Sequence, residues 1–246
     1  MPATIPELSL ILPVYQGAPY LRRSLETLLA HRREWPASEL LVVDDGSSDG
    51  TEAIALELRG AGVRSLRLPR NLGKGAAVRA GMLAAVGRFR IFMDADLPYE
   101  LEAVERILSG LDQKKFDVVI GARDLPGSRF EVRPTRPRRI ASQLFTLLIS
   151  RWVVAGVVDT QCGLKGFRAA AAERLFRLAV VNGFAFDVEV LYLACKLGLG
   201  IQRIPIRQVR NEPSTISLPL GSARMLWDVL LLPLRYHGGG YDLSSV

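Results

Sequence analysis

Through its first half the chain alternates short, continuously apolar runs with stretches of helical periodicity, and that alternation restricts it to a mostly parallel sheet. The runs at Leu8 to Val14, Leu40 to Val43, Val63 to Leu68, Phe89 to Met93 and Asp117 to Ile120 read as strands buried on both faces. Between them, helices fit about Pro19 to Arg32, Thr51 to Arg59, Lys74 to Val86 and Glu100 to Leu111; in the first, Leu21, Leu25, Leu28 and Leu29 share a face. The pattern predicts an α/β fold, a Rossmann-like sheet with helices on both faces. With 246 residues and 49% hydrophobic content, the chain can build one substantial core.

After Gly121 the pattern changes. The segment "ARDLPGSRFEVRPTRPRR" (122–139) is rich in Arg and Pro, which predicts a loop that orders on binding. A helix is predicted from Arg139, with Ile140, Leu144, Leu147, Leu148 and Trp152 at helical spacing. The segment "DTQCGLKGF" (159–167) reads as an irregular connection, followed by helices near Ala169 to Leu178 and Asp187 to Leu197 and a strand at Gly200 to Ile206. An amphipathic tail helix closes the chain over 222–236, with Met225, Leu226, Val229 and Leu230 on one side. No repeat or linker divides the sequence, so residues 1–246 read as a single domain.

The chemistry concentrates at strand ends. In "RIFMDADLPYE", Asp94 and Asp96 stand where an apolar strand runs out, and strand alternation predicts that both point one way while Ala95 points the other. Two hard carboxylates at the carboxyl end of a strand suit a Mg²⁺ or Mn²⁺ that also holds a diphosphate. "VVDDGSSDGT" puts Asp44 and Asp45 at another such end, with Asp49 placed to cap the helix at Thr51. In "RNLGKGAAVRAG", Gly73, Lys74 and Gly75 open a helix whose exposed N–H groups, dipole and lysine would attract an anion. Neither a Walker P-loop nor a Gly-x-Gly-x-x-Gly turn occurs.

A net charge of +7 points to anionic partners: nucleic acid, a phosphorylated substrate or an acidic membrane surface. Arg123, Arg129, Arg133, Arg136, Arg138 and Arg139 crowd the loop, and guanidinium forks match phosphate oxygens. Nucleic acid would favour basic residues interleaved with aromatics, and only Phe130 is nearby. No nucleic-acid partner is therefore expected, and a nucleotide- or RNA-binding module without catalysis stands as the alternative. Two cysteines, Cys162 and Cys195, and two histidines, His31 and His237, argue against zinc or a disulfide scaffold. The N-terminus lacks a signal-peptide pattern, and Arg151, Asp228 and Pro233 interrupt the longest apolar stretches. The expected location is cytoplasmic, peripheral on the inner face of the membrane, with Trp152, Trp227 and Tyr236 suited to an interface.

Taken together and in order, "LPVY", "VVDDGSSDGT", "NLGKGAAVRAG", "FMDADL", "DTQCGLKGF" and "FAFDVEVL" resemble the family 2 glycosyltransferases of GT-A fold, and the later motifs resemble the dolichyl- or polyprenyl-phosphate branch, most closely the β-glucosyltransferases. The resemblance implies that Pro13, Tyr15, Asp44 and Asp45 surround the nucleoside. It puts Lys74 and Arg79 near the nucleotide, Asp94, Ala95 and Asp96 at the diphosphate, with the two aspartates as metal ligands, and Gln161 and Lys165 by the sugar and phosphate. Arg123, Arg133, Arg138 and Arg139 would grip the acceptor phosphate. Residues 1–121 would form the nucleotide-sugar half, and residues 122–246, with the loop 123–139 and the tail helix, the acceptor half. The sequence departs from the family pattern at Gln16-Gly17, at Pro98 and in "RQVRNEPSTIS".

The implied reaction moves glucose from UDP-glucose to a polyprenyl phosphate with inversion, helped by Mg²⁺ or Mn²⁺. GDP-mannose as donor, or a sugar hydroxyl as acceptor, are the competing enzyme readings. A phosphate acceptor is already largely ionised at neutral pH and needs little general-base help, which leaves the catalytic candidates Asp187 and Glu189 without an assigned role.

Overall fold

The computed structural model describes residues 6–113, 115–130, 159–209 and 218–242. The helix predicted from Arg139 and the loop arginines Arg133, Arg136, Arg138 and Arg139 lie outside the described residues.

β1 (Leu8–Val14) and β2 (Ser38–Asp44) are buried along their whole length and pair in parallel, with Leu8 opposite Ser38 and Val14 opposite Asp44. β3 (Val63–Arg67) extends this pair at one edge, and β4 (Phe89–Met93) runs parallel to β1 on its other side. Alternation sends Leu10, Leu12 and Val14 toward α1 (Ala18–His31) and α4 (Glu102–Asp112), and Ile11 toward α3 (Lys74–Ala84). Within α1, Leu21, Leu25 and Leu28 fall on one stripe and are fully buried, each worth roughly 1.5–3 kcal/mol of removed apolar surface. The short α2 (Thr51–Glu57) connects β2 to the β3 edge.

Beyond β4 come β7 (Leu164–Arg168), β5 (Val118–Ala122) and β8 (Ile201–Pro205), so the sheet order is β3-β2-β1-β4-β7-β5-β8. β7 is antiparallel to both neighbours, with Leu164 opposite Met93. This corrects the expected irregular connection: most of β7 lies in "DTQCGLKGF". Gly166 and a central Lys165 hid the strand, because a buried strand carries a lysine only when a partner neutralises it. A small second sheet pairs β6 (Arg129–Phe130) with β9 (Arg207–Gln208).

The second face of the sheet is covered by α3, α5 (Ala169–Leu178), α6 (Phe186–Lys196) and α7 (Leu218–His237). Phe92 stacks on Phe167 at 6.3 Å and meets Phe186 at 5.7 Å, while α7 turns Val229 and Leu232 into the same core. The tail helix thus forms where expected and begins a few residues earlier.

This topology positions the site. From β1 the chain works outward through β2 to β3, then returns to place β4 on the opposite side, so the crevice beyond the carboxyl ends of β1 and β4 is a topological switch point. Antiparallel β7 starts at that same end, which brings the residues preceding it against the end of β4. The Asp94 N–H donates to the Gly163 carbonyl at 3.1 Å.

Candidate active site

Asp94 and Asp96 lie in a turn, past the strand. β4 ends at Met93, and the Leu97 N–H closes the turn on the Asp94 carbonyl at 3.0 Å. Leu97 adopts φ 51°, a left-handed conformation that costs a leucine on the order of 1–3 kcal/mol, and its buried side chain helps offset that. Strand alternation is therefore not what relates the two aspartates; a tight turn is. Ala95, between them, is buried. One carboxylate oxygen of Asp94, Oδ2, packs against Gly163, where a Cβ would lie 2.0 Å away. The other, Oδ1, meets the Lys74 ammonium at 2.5 Å.

Lys74 opens α3, but the helix start is not the exposed anion cradle its sequence predicts. The carbonyl of Asn182 accepts from the N–H groups of Gly75 (2.7 Å) and Ala76 (3.2 Å). Gly73 (φ 106°) and Gly75 make room for this loop, since a Cβ would fall 2.5 Å from the Asn182 oxygen and 2.4 Å from the Val181 oxygen respectively. With those donors occupied, attraction for an anion at this end rests on the Lys74 side chain. Burial works against its charge, yet Asp94, Asp187 and Asp96 hold its pKa above the ordinary lysine value. Arg79 stands further along the helix and donates to the Ala179 carbonyl (3.0 Å) and to Asn182 Oδ1 (2.8 Å).

Lys165 is fully buried, bonded to the Cys162 carbonyl at 2.6 Å and ion-paired to Asp187. Its ammonium also sits 5.3 Å from the Phe92 ring centre, a cation–π contact. Burial pushes the Asp187 carboxyl up, and the lysines Lys165 and Lys74 pull against that. Glu189, two residues on, faces the other side of α6, as the helical 100° step requires. It accepts from the N–H groups of Val180 and Val181 and from the Tyr241 hydroxyl at 2.9 Å. Glu189 therefore pins the loop that caps α3 to the residues after α7, and is held apart from Lys165.

Of the residues expected around the nucleoside, Pro13 is buried and Tyr15 exposed at the end of β1. Asp45 spends both oxygens on the Leu72 and Gly73 N–H groups, at 2.8 Å each, and so shapes the loop leading to Lys74. Asp44 accepts from the Ser47 N–H at 2.9 Å, and its buried Oδ2 has no hydrogen-bond partner, with Arg67 Nε 3.8 Å off. Asp49 bonds the Thr51 N–H at 3.1 Å, as expected, and also the Ala18 N–H at the start of α1 (3.0 Å). Gln161, expected by the sugar and phosphate, donates to Met225 of α7, and Arg123, expected at the acceptor phosphate, forms a fork on Asp159 with both contacts at 2.9 Å. Part of the Arg123 guanidinium is thus committed to Asp159.

The sequence profile described as "Glycosyl transferase family 2" matches residues 9–176. The chain belongs to that family. Dolichyl-phosphate beta-glucosyltransferase of Drosophila melanogaster is 34% identical over 98% of this chain and 78% of the relative. Among solved structures, mannosyl-3-phosphoglycerate synthase from Rubrobacter xylanophilus superposes with a TM-score of 0.71 at 19% identity, covering 94% of this chain and 74% of that one. Glucosyl-3-phosphoglycerate synthase from Mycobacterium tuberculosis, in complex with Mn²⁺ and UDP-glucose, gives 0.68 at 20% identity, covering 92% and 78%. The fold is therefore the GT-A glycosyltransferase fold, and the chain is a hexose-transferring enzyme.

Four residues of this glycosyltransferase escaped the sequence reading. Gly163 seats Asp94, Asn182 caps α3, Asp159 anchors Arg123, and Tyr241 completes the Glu189 pocket. Asp159 and Gly163 both stood inside the recognised motif "DTQCGLKGF", but an aspartate that opens a connection and a glycine before an apolar run read equally well as turn residues.

Proposed function

We propose that the enzyme transfers glucose from UDP-glucose to a polyprenyl phosphate of the dolichyl type, with inversion at the anomeric carbon and release of UDP. What carries this reading is the meeting of Lys74 with Asp94 at the sheet's switch point, in a chain related along nearly its full length to a dolichyl-phosphate glucosyltransferase. Asp94 and Asp96 would hold Mg²⁺ or Mn²⁺. Among the described residues no cluster of three or more His, Cys, Asp or Glu side chains is placed to bind a metal, and two carboxylates completed by substrate phosphates and water are a normal donor set for such an ion. Once bound, it supplies a Lewis acid that offsets charge on the departing UDP.

An ionised phosphate oxygen of the acceptor attacks the anomeric carbon as the bond to the UDP oxygen breaks, and no proton has to move. Asp187 is engaged by Lys165 and Glu189 by backbone N–H groups, so neither is presented as a base; this favours a phosphate over a hydroxyl acceptor. Lys74 orients the donor diphosphate, and the nucleoside lies along Tyr15 and Asp44. Residues 1–121 hold the donor, and residues 122–246 receive the lipid.

The lipid is met at the inner face of the membrane. No described helix is long and apolar enough to cross a bilayer, but α7 exposes Leu226, Leu230, Leu234 (68%) and Trp227 (63%) along one stripe, a pattern suited to a helix lying in an interface. Met225, bonded to Gln161, ties that stripe to the active site.

Vesicles carrying a short polyprenyl phosphate, incubated with the enzyme, Mn²⁺ and separately UDP-glucose, GDP-mannose or a UDP-N-acetylhexosamine, provide the test. Mass spectrometry should find one hexose on the lipid with UDP-glucose, and Trp227→Ala should sediment less with the vesicles. Hexose transferred only to a sugar hydroxyl, or metal-independent RNA binding without transfer, would overturn the reading.

A further inference from the structure

The Lys74 ammonium is a cation already seated on the carboxylate where the divalent ion belongs. It lies 2.5 Å from Asp94 Oδ1, with Asp96 and Asp187 also acting on it. Asp187 is engaged by Lys165, and the carbonyl at the start of α3 comes from Asn182, already accepting two N–H groups. A Lys74 displaced from Asp94 therefore finds no unengaged carboxylate on Asp187.

We infer that Lys74 is a resident counter-ion of Asp94, which the metal displaces and the donor diphosphate then receives, so that metal and nucleotide sugar bind cooperatively. The inference rests on Asp94 and Asp96 being the metal ligands. An ammonium and a divalent ion cannot share Oδ1, because like charges about 4 Å apart in a partly buried site repel strongly. Metal alone must meet that repulsion or drive Lys74 out unpaired. Nucleotide alone finds Lys74 held by Asp94. Together, the diphosphate takes the ammonium and completes the metal's coordination, and such coupling is reciprocal.

Calorimetric titration of Mn²⁺, with and without UDP, tests this on the wild type, Lys74→Met and Asp94→Asn. Lys74→Met should bind Mn²⁺ alone ~10-fold more tightly than the wild type, with UDP then improving metal affinity by a smaller factor, within the ~5–150-fold range of such couplings. Equal or weaker Mn²⁺ binding by Lys74→Met overturns the inference. If Asp94→Asn binds Mn²⁺ as the wild type does, the metal assignment itself fails, and the two failures are separate. Wild-type protein gives a second readout that does not depend on a variant folding: the ¹⁵N signal of the Lys74 ammonium should shift on adding Mg²⁺ and again on adding UDP. A signal that Mg²⁺ leaves unmoved at saturation contradicts displacement.

Discussion

Replacing Gly163 with alanine is expected to remove most transfer activity while leaving the fold in place. The Cβ would lie 2.0 Å from Asp94 Oδ2 and 2.5 Å from its Cγ, so the carboxylate has to leave its seat. Gly163 is not among the glycines with positive φ, and its backbone accepts alanine without the left-handed penalty. The disturbance therefore falls on one side chain. Local rearrangement of about 1 kcal/mol would move the melting midpoint by only ~2–4 °C. Displacing a carboxylate that, on the proposed reading, binds the metal forfeits several kcal/mol of transition-state stabilisation, and ~4 kcal/mol corresponds to a ~10³-fold slower reaction. Initial rates at saturating UDP-glucose, beside a thermal melt, read both quantities, and Asp94→Asn should give the same pair of results. Near-wild-type turnover in Gly163→Ala would mean that Asp94 does not act from the position described.

The second large effect is on stability. Lys165→Met should cost ~3–5 kcal/mol, because it leaves the Asp187 carboxylate buried without its partner, out of a total that for a typical domain is ~5–15 kcal/mol. Restoring neutrality with Lys165→Met/Asp187→Asn should recover roughly half of that loss, although two substitutions have now been made. The pH dependence follows from burial, which already pushes the Asp187 carboxyl up and would push it further without Lys165. A carboxyl whose native pKa lies above its unfolded value of ~3.9 binds more protons when folded, so its contribution is present below that value and lost as pH rises through the native pKa. Lys165→Met should accordingly be less destabilised at about pH 5 than at about pH 8, and the double variant should show little such difference. Denaturant melts at both pH values decide it: a pH-independent loss would mean that packing, rather than an unpaired charge, dominates.

Much of the frame could be read from residues alone. Apolar runs gave β1, β2 and β4, and a leucine stripe gave α1, because a strand buried on both faces and an amphipathic helix leave distinct periodicities. Asp94 and Asp96 were found at a strand end, although the turn at Leu97, not the pleat, relates them. What stayed hidden depends on pairing across long stretches of chain. β7 was missed because its central lysine is neutralised by Asp187, 22 residues away, and that partner is invisible to local pattern. The glycines flanking Lys74 looked like an anion cradle, yet they serve a carbonyl at Asn182. Asp187 and Glu189 read as an equivalent acidic pair, and a helical turn sends one to Lys165 and the other to the Val180 and Val181 backbone.

The central claim is that Asp94 and Asp96 hold a divalent ion on the donor's diphosphate, and anomalous diffraction from crystals soaked with Mn²⁺ and UDP-glucose tests it most directly. The expected map has one manganese peak bridging both carboxylates and the diphosphate, with the Lys74 ammonium turned from Asp94 onto a phosphate oxygen. A nucleotide bound with no manganese between it and those carboxylates, or a peak at other residues, would contradict the account.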